Sequence, residues 1–516
     1  MRSTLSFVSE KSLTPYEIDN HEIYGKYAES QLIDAFLDIQ DDGVALKVWL
    51  DIHNEALRKS ASGHIDKKHI MSLLGFAITA IDNKMNNQLN SIIHSEKFKK
   101  LEASWRGVKY LVDEKAIYDK DQDCKVKLLH LSWKELSRDC TKAIEFDQSD
   151  FFRIIYNNEF NMPGGEPFNL LIGDYKITHK IDRLDGINDI DVLRKVTQVS
   201  AAAFAPFITS AEPSFMGVDT FSELASVRDI NEQFSQMDYI NWNSLREMDD
   251  SKFLGITLPD ILMRAPYKRD GSRREKFYFH EVQCDSESDF LWGNAAYAFG
   301  AVCVRAFCES GWFSQIRGVQ QGQLRKGVVV RVPYSSYCVT RRLNKHKMSV
   351  NLQVGDKLEK QLADSGFIPI STISNESLLT FYSNASVNTP KRTGSSSDIV
   401  NARLASMLQY ILCVSRFAHY IKVICRDKVG GFETEAQLNQ FLQSWILNYT
   451  STSDDLTDEL LAKYPLNEAQ VRVKEIAGKP GHFYSVMHLR PHFQLDQMVS
   501  NIRLITELSP ILNRHG

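Results

Sequence analysis

Phosphate handling is the first chemistry the residues suggest. The stretch "EFNMPGGEPFNLLIGDYKI" sets Gly164, Gly165 and Glu166 directly ahead of an apolar run, where a glycine-lined loop would hold a phosphate at the head of a catalytic fold. Such a loop also needs Gly-Lys-Ser/Thr for the phosphate charge and its Mg²⁺. None follows here, and Glu166 would repel the ligand. The dinucleotide pattern GxGxxG is missing from the segment as well. The pair reads as a tight turn, with Gly164 and Gly165 at positive-φ positions, feeding a buried strand.

Other chemistries fail on spacing. "DRLDGINDID" has a calcium-loop look, but placing Gly186 sixth puts Ile181 and Arg183 at the first and third ligand positions. "HEVQC" lacks the second histidine of a zinc-protease helix, and no GxSxG elbow presents a serine nucleophile. His488 and His492 would share a face of a strand, yet Pro491 lies between them and no third ligand is near. The basic run Arg341–Lys347, "RRLNKHK", has no interleaved aromatics and reads as a solvated face. The eight cysteines are scattered without a CxxC, which suits reduced thiols better than a disulfide framework or zinc. The residues thus point to no catalytic centre, cofactor or metal.

The elements that would position any site belong to a chain of 516 residues, long enough for two or three domains. With 43% apolar and 24% charged residues and a net charge of −4, it has the balance of a soluble globular protein, without the basic excess of a nucleic-acid binder. The first residues, "MRSTLSFVSEKSLTPYEIDN", lack the apolar core and cleavage site of a secretory signal. The most apolar window, residues 290–307, is broken by Gly293, Asn294, Gly300 and Arg305. An arginine at a bilayer centre costs about 2.5–3.5 kcal/mol, so a buried helix is expected there and no membrane insertion.

Along the chain, residues 1–25 are polar and unpatterned, and "ESQLIDAFLDIQ" follows with Leu32, Ile33, Phe36 and Leu37 at helical spacing. From Lys68 to Val112 the helical signal strengthens. Ile70, Leu74, Ile78, Ile81, Met85 and Ile92 form a stripe, and Phe98, Leu101, Trp105, Val108 and Val112 resume it. Glu102 and Arg106, four apart, make a surface pair, while Trp105, Arg106 and Gly107 read as core and helix packing. The middle alternates strand-like "FNLLIG", "FLGITL" and "KGVVVRV" with helix-like "DIDVLRKVTQVSAAAF" and "WGNAAYAFGAVCVRAF", an α/β layer pattern. Residues 382–400 read as a linker or surface loop. Beyond it come one long helix, "ARLASMLQYILCVSRFAHYIKVICRDK", and a second opened by the capping pair Thr434 and Gln437. A hairpin and a terminal strand, "NIRLITEL", close the chain. A terminal strand can complete its own sheet or add to a neighbour's. At about 1 kcal/mol net per hydrogen bond, each junction would be weak and an array of them strong.

Seven segments together resemble a known family: "FKKLEASWRGVKYLV", "YNNEFNMPGGEPFNLLIGDY", "FLGITLPDILMRAPY", "FLWGNAAYAFGA", "GDKLEKQLADSGFIPI", "YIKVICRDKVGGFETEAQLNQFLQSWI" and "GHFYSVMHLRPHFQLD". In that order they are similar to the large sheath subunit of the bacterial type VI secretion system, the TssC/VipB family. The resemblance implies the multidomain, mixed α/β (α+β) fold of contractile tail sheaths, with sheets flanked by helices. It divides the chain into an arm with a docking helix at 1–66, a main sheath domain at 67–385, a linker at 386–400 and a tube-facing domain at 401–516.

The resemblance further implies a structural, non-enzymatic role in the bacterial cytoplasm. Family members pair with a small sheath subunit of the TssB/VipA type. They polymerise helically on baseplate components around a tube of the Hcp type, contract to propel it, and are dismantled by a ClpV-type AAA+ unfoldase. It assigns Leu32, Ile33, Phe36 and Leu37 to unfoldase or partner docking, Arg426, Asp427 and Lys428 to tube contact, and Ile502, Leu504 and Ile505 to strand exchange. Gly164, Gly165 and Glu166 remain a structural turn. The alternatives are the sheath of a related phage-tail-like injection particle, or an α/β hydrolase or NTPase with an unfamiliar site.

Overall fold

Runs such as "FITSA" and "LGITL" are apolar and β-branched without alternation, the pattern of strands covered on both faces. The computed structural model describes residues 39–45, 47, 67–121, 123–181, 186–267, 277, 279–281, 289–319, 326–340, 343–347, 349–373, 378–390, 402–428, 435–451, 457–475 and 483–492. Within it β1 (Leu171–Ile177), β2 (Phe207–Ala211), β3 (Leu254–Leu258) and β9 (Ile368–Pro369) form a parallel sheet in the order β1-β2-β3-β9. Strand alternation sends Phe207, Leu254, Ile256 and Leu258 into one core and Ile208 and Ile368 into another. The first core holds α4 (Asp189–Ala202), whose Ile190, Leu193 and Val196 are buried, with Phe215, Trp242 and Phe367. The second holds α5 (Ala296–Ser310), with Phe299, Ala301 and Val302.

Smaller antiparallel pairings surround the sheet. β4 (Ile261–Arg264) pairs with β5 (Leu291–Gly293), and β7 (Ser335–Thr340) with β8 (Leu343–Lys347). β11 (Leu379–Thr380) lies between β10 (Ser371–Thr372) and β6 (Val328–Val329). The longer of the other helices are α1 (Lys67–Ile93), α2 (Glu96–Tyr118), α3 (Trp133–Lys142), α6 (Asp356–Asp364), α7 (Leu408–Lys428) and α8 (Glu435–Leu447). A capping box opens α3: the Glu135 N–H donates to Ser132 Oγ at 3.3 Å, and the Ser132 N–H to Glu135 Oε2 at 2.9 Å. The hairpin β12 (Leu466–Glu475) and β13 (Phe483–Pro491) closes a third core with Phe417 and Ile421 of α7 and Leu442 and Ile446 of α8. Trp312 stacks on Phe417 there, ring centroids 4.2 Å apart. Because Leu408 and Leu412 sit in the second core and Cys413 and Phe417 in the third, α7 belongs to both.

The chain divides into two compact units, residues 1–91 with 269–280, and 92–268 with 281–516. In the first, Asn86 is buried and its Oδ1 accepts the His280 N–H at 3.3 Å. The parallel sheet and all three cores lie in the second.

Several sequence expectations need correction. Trp105 is 62% exposed instead of core, because α2 buries the opposite face, Ala103, Gly107, Leu111 and Glu114. Only Gly164 has a positive φ, +78°, while Gly165 is required because a Cβ there would strike the Glu159 carbonyl. Over its first part the expected surface loop at 382–400 is packed, with Asn384, Ser386, Val387 and Asn388 buried. Asn388 Nδ2 donates to the Met248 carbonyl at 2.8 Å, so polar residues satisfied by backbone mimic a linker composition. The long helix expected from residue 402 is interrupted at Ser406 and Met407, where Met407 bridges to Ala385. Of "KGVVVRV" only Val328–Val329 is strand, and Arg331 beyond it has φ +59°. A π-helix at Arg153–Asn161 has no counterpart in the sequence reading.

Candidate functional site

The glycine turn is built from the end of the π-helix. Glu159 folds back so that its Oε2 accepts the Glu166 N–H at 3.0 Å and its Oε1 takes Lys127 Nζ at 2.6 Å. The bond from Lys127 holds the Glu159 carboxyl below the usual carboxylate range. Lys125 pairs with Glu166, and the Gly165 N–H donates to the Met162 carbonyl at 3.1 Å. The backbone amide that a phosphate would need is already occupied by the chain's own carboxylate. Gly164, Gly165 and Glu166 make a closed turn, with both nearby lysines neutralised.

Exposed apolar rows mark α1 and, separately, α2. On α1, Met71, Ile78, Met85 and Ile92 recur every seven residues and Ile81 follows Ile78 by three; all are exposed. That is the a/d spacing of a helix seam made for another helix. Phe76, elsewhere around the same helix, is 71% exposed. α2 repeats the device with Phe98, Leu101, Trp105 and Val112 exposed.

The inner face of α2 is held by charge. Arg264 Nε donates to Glu102 at 2.8 Å, its Nη1 to Glu281 at 2.5 Å, and Arg106 Nε to the same Glu102 oxygen at 2.7 Å. His94 Nε2 reaches Glu281 at 2.9 Å, and the Arg264 guanidinium lies 4.3 Å over the Tyr267 ring. Further along, Arg331 pairs with buried Glu114 at 2.5 Å, and the Tyr110 hydroxyl donates to the Val330 carbonyl at 2.6 Å. Burial raises the Glu114 carboxyl, against the pull of Arg331. Gly107 is the close-approach point, since a Cβ would enter the Tyr297 ring of α5. The helix is clamped on one side and apolar on the other.

The hairpin edge carries a second arrangement. Asn439 and Gln443, one turn apart on α8, face β12 as a strand would. Asn439 Nδ2 donates to the Val473 carbonyl at 3.1 Å and its Oδ1 accepts the Val473 N–H at 2.6 Å. Gln443 Nε2 donates to the Ala469 carbonyl at 3.0 Å and its Oε1 accepts the Val471 N–H at 2.9 Å. At the start of β12 the Leu466 carbonyl accepts the Ser451 N–H at 2.9 Å.

His419 of α7 is buried. Its Nε2–H donates to the Ala203 carbonyl at 2.8 Å, leaving Nδ1 to accept from Asn169 Nδ2 at 3.1 Å. Burial, with Arg416 and Lys422 nearby, lowers its pKa to about 4, so it serves as a neutral strut.

Of the other sequence-picked residues, Leu32, Ile33, Phe36, Leu37, Ile502, Leu504 and Ile505 lie outside the described residues, as does Thr434. Arg426, Asp427 and Lys428 form the end of α7. Sequence reading missed the Arg264 ion-pair cluster and the Asn439–Gln443 amides; for the latter, the only trace is two amides four apart on a helix. Among the described residues no His/Cys/Asp/Glu group has metal-holding geometry, and no helix is long and apolar enough to cross a membrane.

Two family models match the chain: the EvpB/VC_A0108 tail sheath N-terminal domain over residues 76–388, and the EvpB/VC_A0108 tail sheath gpW/gp25-like domain over residues 397–508. The chain belongs to this tail sheath family, VipB. It is 35% identical over 435 residues to the Type VI secretion system sheath protein TssC1 of Pseudomonas aeruginosa, covering 84% of this chain and 85% of that protein. Among solved structures it is similar to a chain of the anti-feeding prophage baseplate, determined by cryo-electron microscopy. There the TM-score is 0.36 and the identity 9%, over 74% of this chain and 83% of that one.

Proposed function

We propose that this chain is the large structural subunit of a type VI secretion contractile sheath, and that the exposed apolar rows of α1 and α2 receive the small sheath subunit. The paired subunits polymerise around an inner tube of the Hcp type in the bacterial cytoplasm and contract to drive it outward. The observation that carries this reading is the α1 seam. A row of Met and Ile at heptad spacing, open to solvent, suits a partner helix packed knobs-into-holes. A surface of that kind on an isolated chain also predicts poor solubility without its partner.

Co-expression with candidate small subunits, followed by negative-stain electron microscopy, is the direct test. Hollow tubules are expected from the pair and not from the chain alone; tubules from the chain alone would instead mark the single-subunit sheath of a phage-tail-like particle. Replacing Ile78 and Ile81 together with Asp is expected to abolish co-purification, and an unchanged complex would refute the docking assignment.

Three finer assignments are part of this proposal. Leu32, Ile33, Phe36 and Leu37 offer a helical apolar face to a ClpV-type unfoldase, and Leu32→Asp with Phe36→Asp is expected to end its pull-down. Arg426, Asp427 and Lys428 make polar contacts with the tube, so Lys428→Glu is expected to reduce tube co-sedimentation. Ile502, Leu504 and Ile505 supply a strand to a neighbouring protomer, and deletion of residues 501–516 is expected to leave heterodimers that do not polymerise.

A further inference from the structure

We propose that Cys124 and Cys308 are a peroxide-sensitive thiol pair, and that the disulfide they form locks the segment after α2 to the end of α5. The pair has no part in the sheath reading above and stands or falls apart from it.

Two helices bring these cysteines together. α2 and α5 run side by side in the same direction: a Cβ on Gly107 would enter the Tyr297 ring, and one on Gly300 would come within 3.1 Å of Leu111 Cδ2. Further along, Glu114 lies in the field of Arg305, and Asp119, the C-cap of α2, in that of the Cys308 thiol. The Asp119 carboxylate then fixes the turn that follows, accepting the Asp123 N–H at 3.0 Å and the Cys124 N–H at 3.2 Å. That turn sets the Cys124 thiol in a hydrogen bond with the Cys308 thiol. Cysteines whose Cα atoms are more than about 7 Å apart, or whose Cβ vectors diverge, do not bridge. Here the two sulfurs already meet.

The two thiols are not equivalent. Cys124 is buried and Cys308 half-buried. The hydrogen bond from Cys308 lowers the Cys124 pKa against the effect of burial, and Lys115 and Arg416 add to it while Asp119 opposes. Arg416 is kept there by stacking over the ring of Phe307, 4.4 Å from its centroid and next to Cys308 in the chain. The same hydrogen bond, with burial, pushes the Cys308 thiol up. Cys124 is therefore the nucleophile and Cys308 the thiol that resolves it. Burial pushes Cys140 up to about 11 and Cys413 up to about 12, and raises Cys303 and Cys425 as well. None of these four meets a second thiol among the described residues.

Hydrogen peroxide is the oxidant. The Cys124 thiolate attacks one peroxide oxygen and the O–O bond breaks; the departing hydroxide takes up the proton that Cys124 gave up and leaves as water. Cys124 is then a sulfenic acid. The Cys308 sulfur attacks the Cys124 sulfur, forming S–S and breaking S–O, and the hydroxide leaves as a second water with the Cys308 proton. In sum, two thiols and one peroxide give one disulfide and two waters. A dithiol reductant reverses the bond by exchange, so the pair rests reduced in a reducing compartment. The closed bond joins residues far apart in the chain and restricts the unfolded state.

The test uses the full-length protein, co-expressed with a small subunit and held folded as judged by circular dichroism. It is treated with hydrogen peroxide, its free thiols are alkylated, and it is digested without reductant for mass spectrometry. The expected result is a linked Cys124–Cys308 peptide pair, two hydrogen masses below the sum of the two thiol peptides and lost after dithiothreitol. Cys308→Ser is expected to abolish the link and to leave Cys124 as a sulfenic acid, with several-fold more dimedone label than in the native chain. The linked protein is expected to unfold at a higher temperature than the same sample after dithiothreitol. The pair assignment is overturned if both cysteines stay alkylatable after peroxide, or if the link forms only once denaturant is added. Equal dimedone labelling with and without Cys308 would remove its resolving role. An unfolding temperature that is unchanged or lower in the linked protein would overturn the lock.

Discussion

α5 and α1 are both apolar helices, "AYAFGAVCVRAFCES" and "KKHIMSLLGFAITAIDNKMNNQLNSII", yet they meet opposite fates. On α5 nearly every side chain from Ala296 to Ala306 is buried, including Arg305, whose guanidinium donates to the Lys326 carbonyl at 3.0 Å. On α1, Met71, Phe76, Ile78, Ile81, Met85 and Ile92 face solvent. The difference separates two uses of apolar surface. One closes a core within the chain, and the other is exposed apolar surface, the kind of face proposed above to receive a partner.

That contrast can be broken from either side. The largest effect is expected in the completed core. Phe299→Ala should cost about 3–5 kcal/mol in denaturant unfolding, and Glu281→Ala, which leaves the buried Arg264 guanidinium with Glu102 as its remaining carboxylate partner, should cost about 3 kcal/mol. If α1 is an interface, Ile81→Ala should shift the chain's own stability by no more than about 0.5 kcal/mol. It should nevertheless weaken small-subunit binding roughly tenfold, about 1.4 kcal/mol. A stability loss at Ile81 to match Phe299 would erase the distinction.

Acid should act on the completed core as well. Below pH 6.5 the unfolded chain protonates its histidine, while His419 in the fold stays neutral until about pH 4. Stability is therefore lost as the pH falls through that window, by about 3 kcal/mol for this group. His419→Gln should flatten that part of the pH profile measured by thermal unfolding. The glycine turn comes next, where Gly164→Ala, forced to a φ of +78°, should cost about 1 kcal/mol. Smallest is the exposed Lys109–Asp113 pair on α2, 2.7 Å apart, whose removal by Lys109→Ala should change stability by no more than about 0.5 kcal/mol.

Much of the architecture was legible. The helices at 67–93, 96–118, 189–202 and 296–310 and the terminal hairpin follow from periodicity and alternation, which are local properties. The failed catalytic motifs were equally local, since each needs ligands at fixed spacing. The site was less legible. Trp105 has the period of a core residue and stands in solvent, while Asn384 and Asn388 have the composition of a loop and are buried. Arg264, Glu281, Glu102 and His94 meet only because β4 runs beside α2, and no spacing along the chain announces them.

What the amino-acid order determined by itself is which residues share a face: the α1 seam, the two faces of the hairpin, the wedge that Gly164 and Gly165 permit. What only the tertiary structure decided is what each face meets. Among the described residues the outward row of α1 is exposed, and β12 is closed by Asn439 and Gln443. The reason is physical. Periodicity is written in neighbouring residues, whereas burial and hydrogen-bond satisfaction depend on partners far along the chain or on another chain altogether.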